Sequence, residues 1–130
     1  MTTGHVNSKR EALIWLTVCA PQGERREIEA LIDTGYSSYL TLPGNLITTL
    51  GLSTIGTEQL TLADGTEISS DLCAATIVWD GQERTIEVDT LESEPLIGMA
   101  LLEGYDLSIR VAVGGPVKIE SFSPSEPLTS

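Results

Sequence analysis

Histidine is almost missing from this chain: His5 is the only one among 130 residues. A Ser-His-Asp triad within the fold needs an imidazole to carry a proton, and a multi-His metal site needs several. His5 lies in the polar N-terminal stretch and is read as solvated and mobile, so both chemistries are excluded. Cysteine is nearly as scarce. Cys19 and Cys73 occupy apolar, strand-like segments without metal-ligand spacing or neighbouring histidines, the pattern of two buried free thiols. Cations are few as well, with 7 Lys and Arg against 19 Asp and Glu and a formal charge of −12. Lys9-Arg10 and Arg25-Arg26 are interleaved with Glu11, Glu24 and Glu27, leaving no basic stripe to neutralise phosphates. No nucleic-acid partner and no membrane partner are expected. The acidity favours solubility and disfavours acidic peptides at neutral pH. No apolar run approaches the length of a membrane span. The stretch from Lys9 to Ala20 has cations ahead of a short apolar run, as a leader would, but its β-like content makes it an ordinary first strand, and a cytoplasmic location is expected.

What remains is a chain of 41% hydrophobic content, long enough for one compact core and too short for two lobes. Its punctuation is that of a β-rich domain. Residues 12–19 form an apolar strand, Pro21-Gln22-Gly23 turns the chain, and Glu27 to Ile32 forms the next strand. Residues 39–42 make a short strand, after which Asn45 to Leu52, with Leu46, Leu50 and a terminating Gly51, suits a short helix. Gln59 to Ile68 alternates on both sides of Asp64-Gly65, the strongest short hairpin signal in the chain. A second hairpin turns at Asp80-Gly81, between Ala75–Trp79 and Thr85–Val88. A third pair, Leu107 to Val113 and Val117 to Ile119, is joined through Gly114-Gly115-Pro116. Residues 1–11 are expected to be flexible, 12–120 to form the domain, and the polar, proline-broken 121–130 to be a disordered tail.

One segment carries chemistry. Asp33-Thr34-Gly35 stands behind the apolar Ala30-Leu31-Ile32, which places a carboxylate at the end of a buried strand where a glycine allows close backbone approach. Two facing carboxylates that share one proton separate a general base from a general acid, because like charges in contact cannot both ionise. The chain holds no second Asp-Thr-Gly or Asp-Ser-Gly: Asp64-Gly65, Asp71-Leu72, Asp80-Gly81, Asp89-Thr90-Leu91 and Asp106-Leu107 all fail. For such chemistry the partner Asp33 must come from a second copy across a two-fold axis.

The segment from Glu29 to Pro43 resembles the signature of the retropepsin-like aspartic proteases, in particular the small microbial single-domain group. Glu94 to Leu102, with Leu96-Ile97-Gly98 at its centre, resembles that family's second hallmark, and together they cover roughly residues 12–110. The resemblance implies an all-β acid-protease barrel with a short helix after Leu96-Ile97-Gly98, active as a homodimeric aspartic endopeptidase on a polypeptide substrate, without cofactor or metal. It implies that Asp33 is half of the dyad. Thr34 would send its hydroxyl across the two-fold axis, and Gly35 would donate a backbone hydrogen bond toward the dyad. Tyr36 and Ser37 would contact substrate, and Ala63, Asp64 and Gly65 would form the tip of a flap closing on the peptide. Leu96-Ile97-Gly98 would pack beneath the catalytic loop. Three features depart from the viral pattern: Tyr36 replaces a small residue and is expected to narrow the subsite beside the dyad or to alter how the dyad is hydrogen-bonded, Ser37 and Ser38 replace acidic residues, and the terminal segments are polar. The alternative function is a non-catalytic dimeric peptide-binding module on the same fold. A phosphotransferase using Asp33 as nucleophile lacks phosphate loops and an α/β pattern.

Overall fold

The computed structural model describes residues 1–122. In chain order the elements are β1 (Thr2–Val6), β2 (Ala12–Cys19), β3 (Arg25–Ile32), β4 (Leu40–Leu42), α1 (Gly44–Leu50), β5 (Ser53–Thr61), β6 (Glu67–Trp79), β7 (Gln82–Thr90), β8 (Leu96–Ile97), α2 (Met99–Leu102), β9 (Tyr105–Ile109) and β10 (Pro116–Ser121). Strands β6, β7, β4, β8, β3 and β2 are hydrogen-bonded in that order, and a β6–β2 pairing closes them into a barrel. The length of β6 makes this closure possible. Its C-terminal part pairs with β2 from Thr76 to Val78, while Glu67 to Ala74 pairs with β5. On the other side β1, β10 and β9 extend the sheet from β2.

Alternation along the strands fills the barrel. Ile14, Leu16 and Val18 of β2, Ile28, Ala30 and Ile32 of β3, Cys73, Ala75, Ile77 and Trp79 of β6, and Ile86 and Val88 of β7 are all buried in one cluster. Each large aliphatic side chain removed from water in this way contributes about 1.5–3 kcal/mol. Trp79 also meets the Tyr105 ring edge-to-face, with centroids 5.7 Å apart, which fastens β9 to the barrel. Helix α1 buries Ile47 and Leu50 and ends at Gly51, whose φ of 68° is the left-handed conformation that a helix stop requires.

The hairpin expectations hold, with two kinds of turn. Asp80 and Gly81 both have positive φ and join directly paired Trp79 and Gln82, a two-residue turn. At the other hairpin only Gly65 has positive φ, and Leu62 donates from its amide to the Thr66 carbonyl, so the loop is Ala63-Asp64-Gly65.

The ends differ from expectation. Residues Thr2–Val6, expected to be flexible, form β1, held by ladders to both β10 and β2. Gly4 makes that pairing possible, since a Cβ there would lie 1.9 Å from the Leu13 carbonyl oxygen. His5 is exposed, but it is part of this strand. Ser121 closes β10, and the rest of the expected tail, from 123 onward, lies outside the described residues. The strand expected through Val113 stops at Ile109, because Arg110 to Gly115 turns tightly instead. Both cysteines are free, Cys73 buried and Cys19 half-buried. Among the described residues no helix is long and apolar enough to cross a membrane.

Candidate active site

Strand β8 lies between β3, to which it is parallel, and β4, to which it is antiparallel. Ile97 sits between Ile32 and Leu40, and all three are buried. The segment from Asp33 to Tyr39 therefore leaves β3, crosses the C-terminal end of β8 and returns as β4. Backbone hydrogen bonds fix it there: Asp33 N to Ile97 O at 2.9 Å, Met99 N to Tyr36 O at 2.7 Å, and Gly98 N to Tyr39 O and Ala100 N to Ser38 O, both at 3.1 Å. Buried Thr41 assists from β4, its Oγ1 accepting the Leu96 amide at 3.0 Å.

The glycine of Leu96-Ile97-Gly98 has a steric reason. A Cβ at Gly98 would stand 2.2 Å from Ser38 O, 2.6 Å from Tyr36 Cδ2 and 2.7 Å from Tyr36 O. Only a residue without a side chain lets the Asp33 loop rest on the entry to α2. The motif thus packs beneath the loop.

Asp33 is half-buried, and its Oδ1 accepts the Gly35 amide at 2.9 Å. A Cβ on Gly35 would lie 3.3 Å from that oxygen, a contact tight enough to displace the carboxylate. Thr34 and Ser37 are exposed. Asp33, Gly35 and Tyr36 line a cleft of about 420 Å³, whose other walls are Leu60, Thr61, Leu62 and Ala63 of the β5–β6 hairpin with Thr41, Leu91 and Leu96. This size lies within the range of ligand-binding clefts. The loop and the hairpin thus share one cavity.

The other expected site residues are distributed differently. Asp64 and Gly65 build the hairpin tip without lining the cleft: Asp64 Oδ1 accepts the Thr66 amide at 2.9 Å, and hydrogen bonds from the Thr66 side chain and backbone hold its carboxyl below the ordinary range. Ser37 lines a second cavity of about 570 Å³ with Thr34, Met99, Leu102, Tyr105 and Leu107, away from the cleft. Thr34 also borders a third cavity, beside Ile109 and Val111.

Tyr36 lines the cleft, but its hydroxyl is committed elsewhere. It donates to Oδ2 of Asp89, which is 1% exposed on β7. Burial first, and then the Asp89 carboxylate that accepts its proton, raise the Tyr36 phenol well above its ordinary value, so it remains a donor. Asp89 and its neighbour Glu58 escape sequence reasoning. Alternation with Glu87 suggests a solvent-facing Asp89, and the Tyr36 loop that meets it is far away in sequence. The apolar cleft wall was more legible, since Leu60 and Leu62 alternate along the hairpin arm.

No family model matches the chain, and no curated protein matches it. Among solved structures it is similar to a retropepsin-like aspartic protease from Rickettsia conorii, with 17% sequence identity and a TM-score of 0.59 over 93% of this chain and 90% of the other. Closed barrel, short helix after Leu96-Ile97-Gly98 and overall superposition agree: the fold of this chain is the retropepsin-like one.

Proposed function

We propose that the chain is an aspartic endopeptidase, assembled as a homodimer in which two Asp33 residues form the catalytic dyad. The observation that carries this reading is Asp33 itself: a carboxylate oriented by the Gly35 amide, at the mouth of a cleft walled by a hairpin and leucines. Each chain supplies one such carboxylate, so the chemistry is incomplete in a single copy. Exposed apolar side chains near Thr34 suit a second copy, since Met99 and Val111, 48% and 68% exposed, border the two cavities that Thr34 touches. Across that axis the Thr34 hydroxyls would brace the two loops.

In the assembled site one proton is shared by the two carboxylates. The ionised one draws a proton from a water held between them, and the protonated one donates to the scissile carbonyl oxygen. The leucine-lined cleft favours an extended, largely apolar peptide, held under the β5–β6 hairpin as under a flap. The requirement for one shared proton gives an acidic optimum, with the alkaline limb of the rate at about pH 5–7. Ser37 and the tip residues Asp64 and Gly65 reach the peptide only if the hairpin closes or the second copy brings its own loop near.

The test is hydrolysis of a peptide library by wild type and Asp33→Asn, with circular dichroism on both. Wild-type cleavage that disappears in a folded Asp33→Asn supports the reading. Peptide binding without cleavage by wild type would make the chain a dimeric binding module, and cleavage by folded Asp33→Asn would remove Asp33 from the mechanism.

A further inference from the structure

β5 is an edge strand that pairs with β6 alone. None of its residues is fully buried, and only Glu58 and Leu60 are half-buried. Beyond the β6 ladder and the Thr54 Oγ1–Cys73 Sγ contact at 3.9 Å, these two side chains are what β5 offers for holding its arm of the hairpin against the barrel. Glu58 places Oε2 in an enclosed position where it meets no hydrogen-bond donor among the described residues, and the same is true of Asp89 Oδ1. The two side chains stand on one face of the sheet, either side of β6, and the leading effect on the Glu58 carboxyl is a hydrogen bond with Asp89. As two carboxylates they repel, and neither can donate. One proton converts the contact into a charge-assisted O–H···O hydrogen bond. The Tyr36 hydroxyl donates to Asp89 Oδ2, which favours Asp89 as the acceptor of the pair, and we place the proton on Glu58.

We propose that Glu58 is a positioning residue: as a carboxylic acid it donates to Asp89 and completes a Glu58–Asp89–Tyr36 chain that ties the hairpin to the Asp33 loop, and loss of its proton releases the hairpin.

The surroundings agree. Glu58 lies opposite Ser70 of β6, and Leu72 of the same strand lies opposite Asp89 of β7, so these side chains share one face. Ser70 offers Glu58 little, because its hydroxyl is engaged with the backbone of Thr90, donating to O and accepting from N, both at 2.9 Å. The charged groups acting on Glu58 are Asp89 and Glu87, both acidic. Its hydrogen bond to Asp89 first, then burial, then the charges of Asp89 and Glu87 push its carboxyl up to about 7. The folded state thus binds this proton more tightly than the unfolded chain, whose carboxyl titrates near 4.5. The stabilisation is complete below that ordinary value and is lost as the pH rises through about 7. Among the described residues no three acidic, His or Cys side chains converge as a metal site. Leu60, Leu62 and Ala63, which wall the cleft, follow Glu58 on the same arm. If the chain is an endopeptidase, the flap is therefore latched in acid and loosened in base; only this consequence rests on the proposed function.

Amide hydrogen exchange over Leu60 to Ile68, corrected for intrinsic rates, tests the latch in the full chain without using activity. Wild type should lose protection roughly tenfold or more between about pH 5 and about pH 8. Glu58→Gln keeps a donor that does not titrate, and its protection should change by less than about twofold over the same range. Glu58→Ala should be poorly protected at both ends. The same pH response in Glu58→Gln as in wild type, or no response in wild type, overturns the proposal. If the exchange differs as stated but no variant cleaves peptide, the latch stands and the endopeptidase reading fails.

Discussion

A single methyl at Gly98 should damage this protein more than one at Gly65, the hairpin-tip glycine. The backbone there is extended, with φ −102° and ψ 177°, so alanine meets no conformational penalty and the whole cost is steric. The new Cβ would stand 2.2 Å from Ser38 O and 2.7 Å from Tyr36 O, and backbone atoms cannot rotate out of the way. The Asp33 loop must lift instead, which strains the hydrogen bonds Gly98 N to Tyr39 O, Met99 N to Tyr36 O and Ala100 N to Ser38 O. Overpacking costs about 1–3 kcal/mol, and the three hydrogen bonds, weakened rather than lost, together cost about 2 kcal/mol, so Gly98→Ala should lose about 3–5 kcal/mol. For a domain of this length that is a fall in Tm of about 10–20 °C. Gly65→Ala is the control. Its φ of +86° disfavours any side chain, by about 1–2 kcal/mol, but a Cβ there meets nothing within 4 Å. Thermal and urea denaturation of both variants against wild type decide the matter. A Gly98→Ala protein no less stable than Gly65→Ala would refute the account of how the loop is seated.

Two further outcomes follow from the same geometry. Thr41→Val keeps the shape but leaves the Leu96 amide without its acceptor in a buried position, so urea denaturation should show a loss of about 1–3 kcal/mol, against a negligible loss at exposed Thr57→Val. Gly65→Val places a β-branched residue at the left-handed tip of the hairpin, and under the proposed function kcat should fall by a larger factor than the melting temperature implies; unchanged turnover with a large loss of stability would make the hairpin scaffold only.

Local signals carried much of this structure in the sequence. Asp64-Gly65 and Asp80-Gly81 mark turns because a glycine supplies positive φ, and Gly51 stops α1 for the same reason. The apolar Ala30-Leu31-Ile32 ahead of Asp33 shows where a carboxylate reaches the end of a buried strand. What stayed hidden depends on partners distant in the chain. Thr2 to Val6 is polar and alternates weakly, yet ladders on both sides make it a strand. Val111 and Val113 look like strand residues, but they are 68% and 76% exposed on a turn that Gly115 enters closely, where a Cβ would be 1.9 Å from Arg110 O. Asp89 is hidden for the same kind of reason: Tyr36, which bonds to it, is distant in the chain, and no pattern within β7 announces its burial. Tyr36 was expected to act on the cleft, and it does line it, but its hydroxyl instead links the loop to the β6–β7 sheet.

The central claim, that the active site takes one Asp33 from each of two chains, is tested most directly by subunit mixing. Wild type and Asp33→Asn are combined at constant total concentration, allowed to exchange, and assayed for peptide hydrolysis as the wild-type fraction varies. If both carboxylates are needed, only wild-type pairs are active, and the rate falls as the square of the wild-type fraction. A rate that falls in simple proportion to that fraction, in mixtures shown by mass spectrometry to contain mixed dimers, would mean that each chain works alone, and the claim would be wrong.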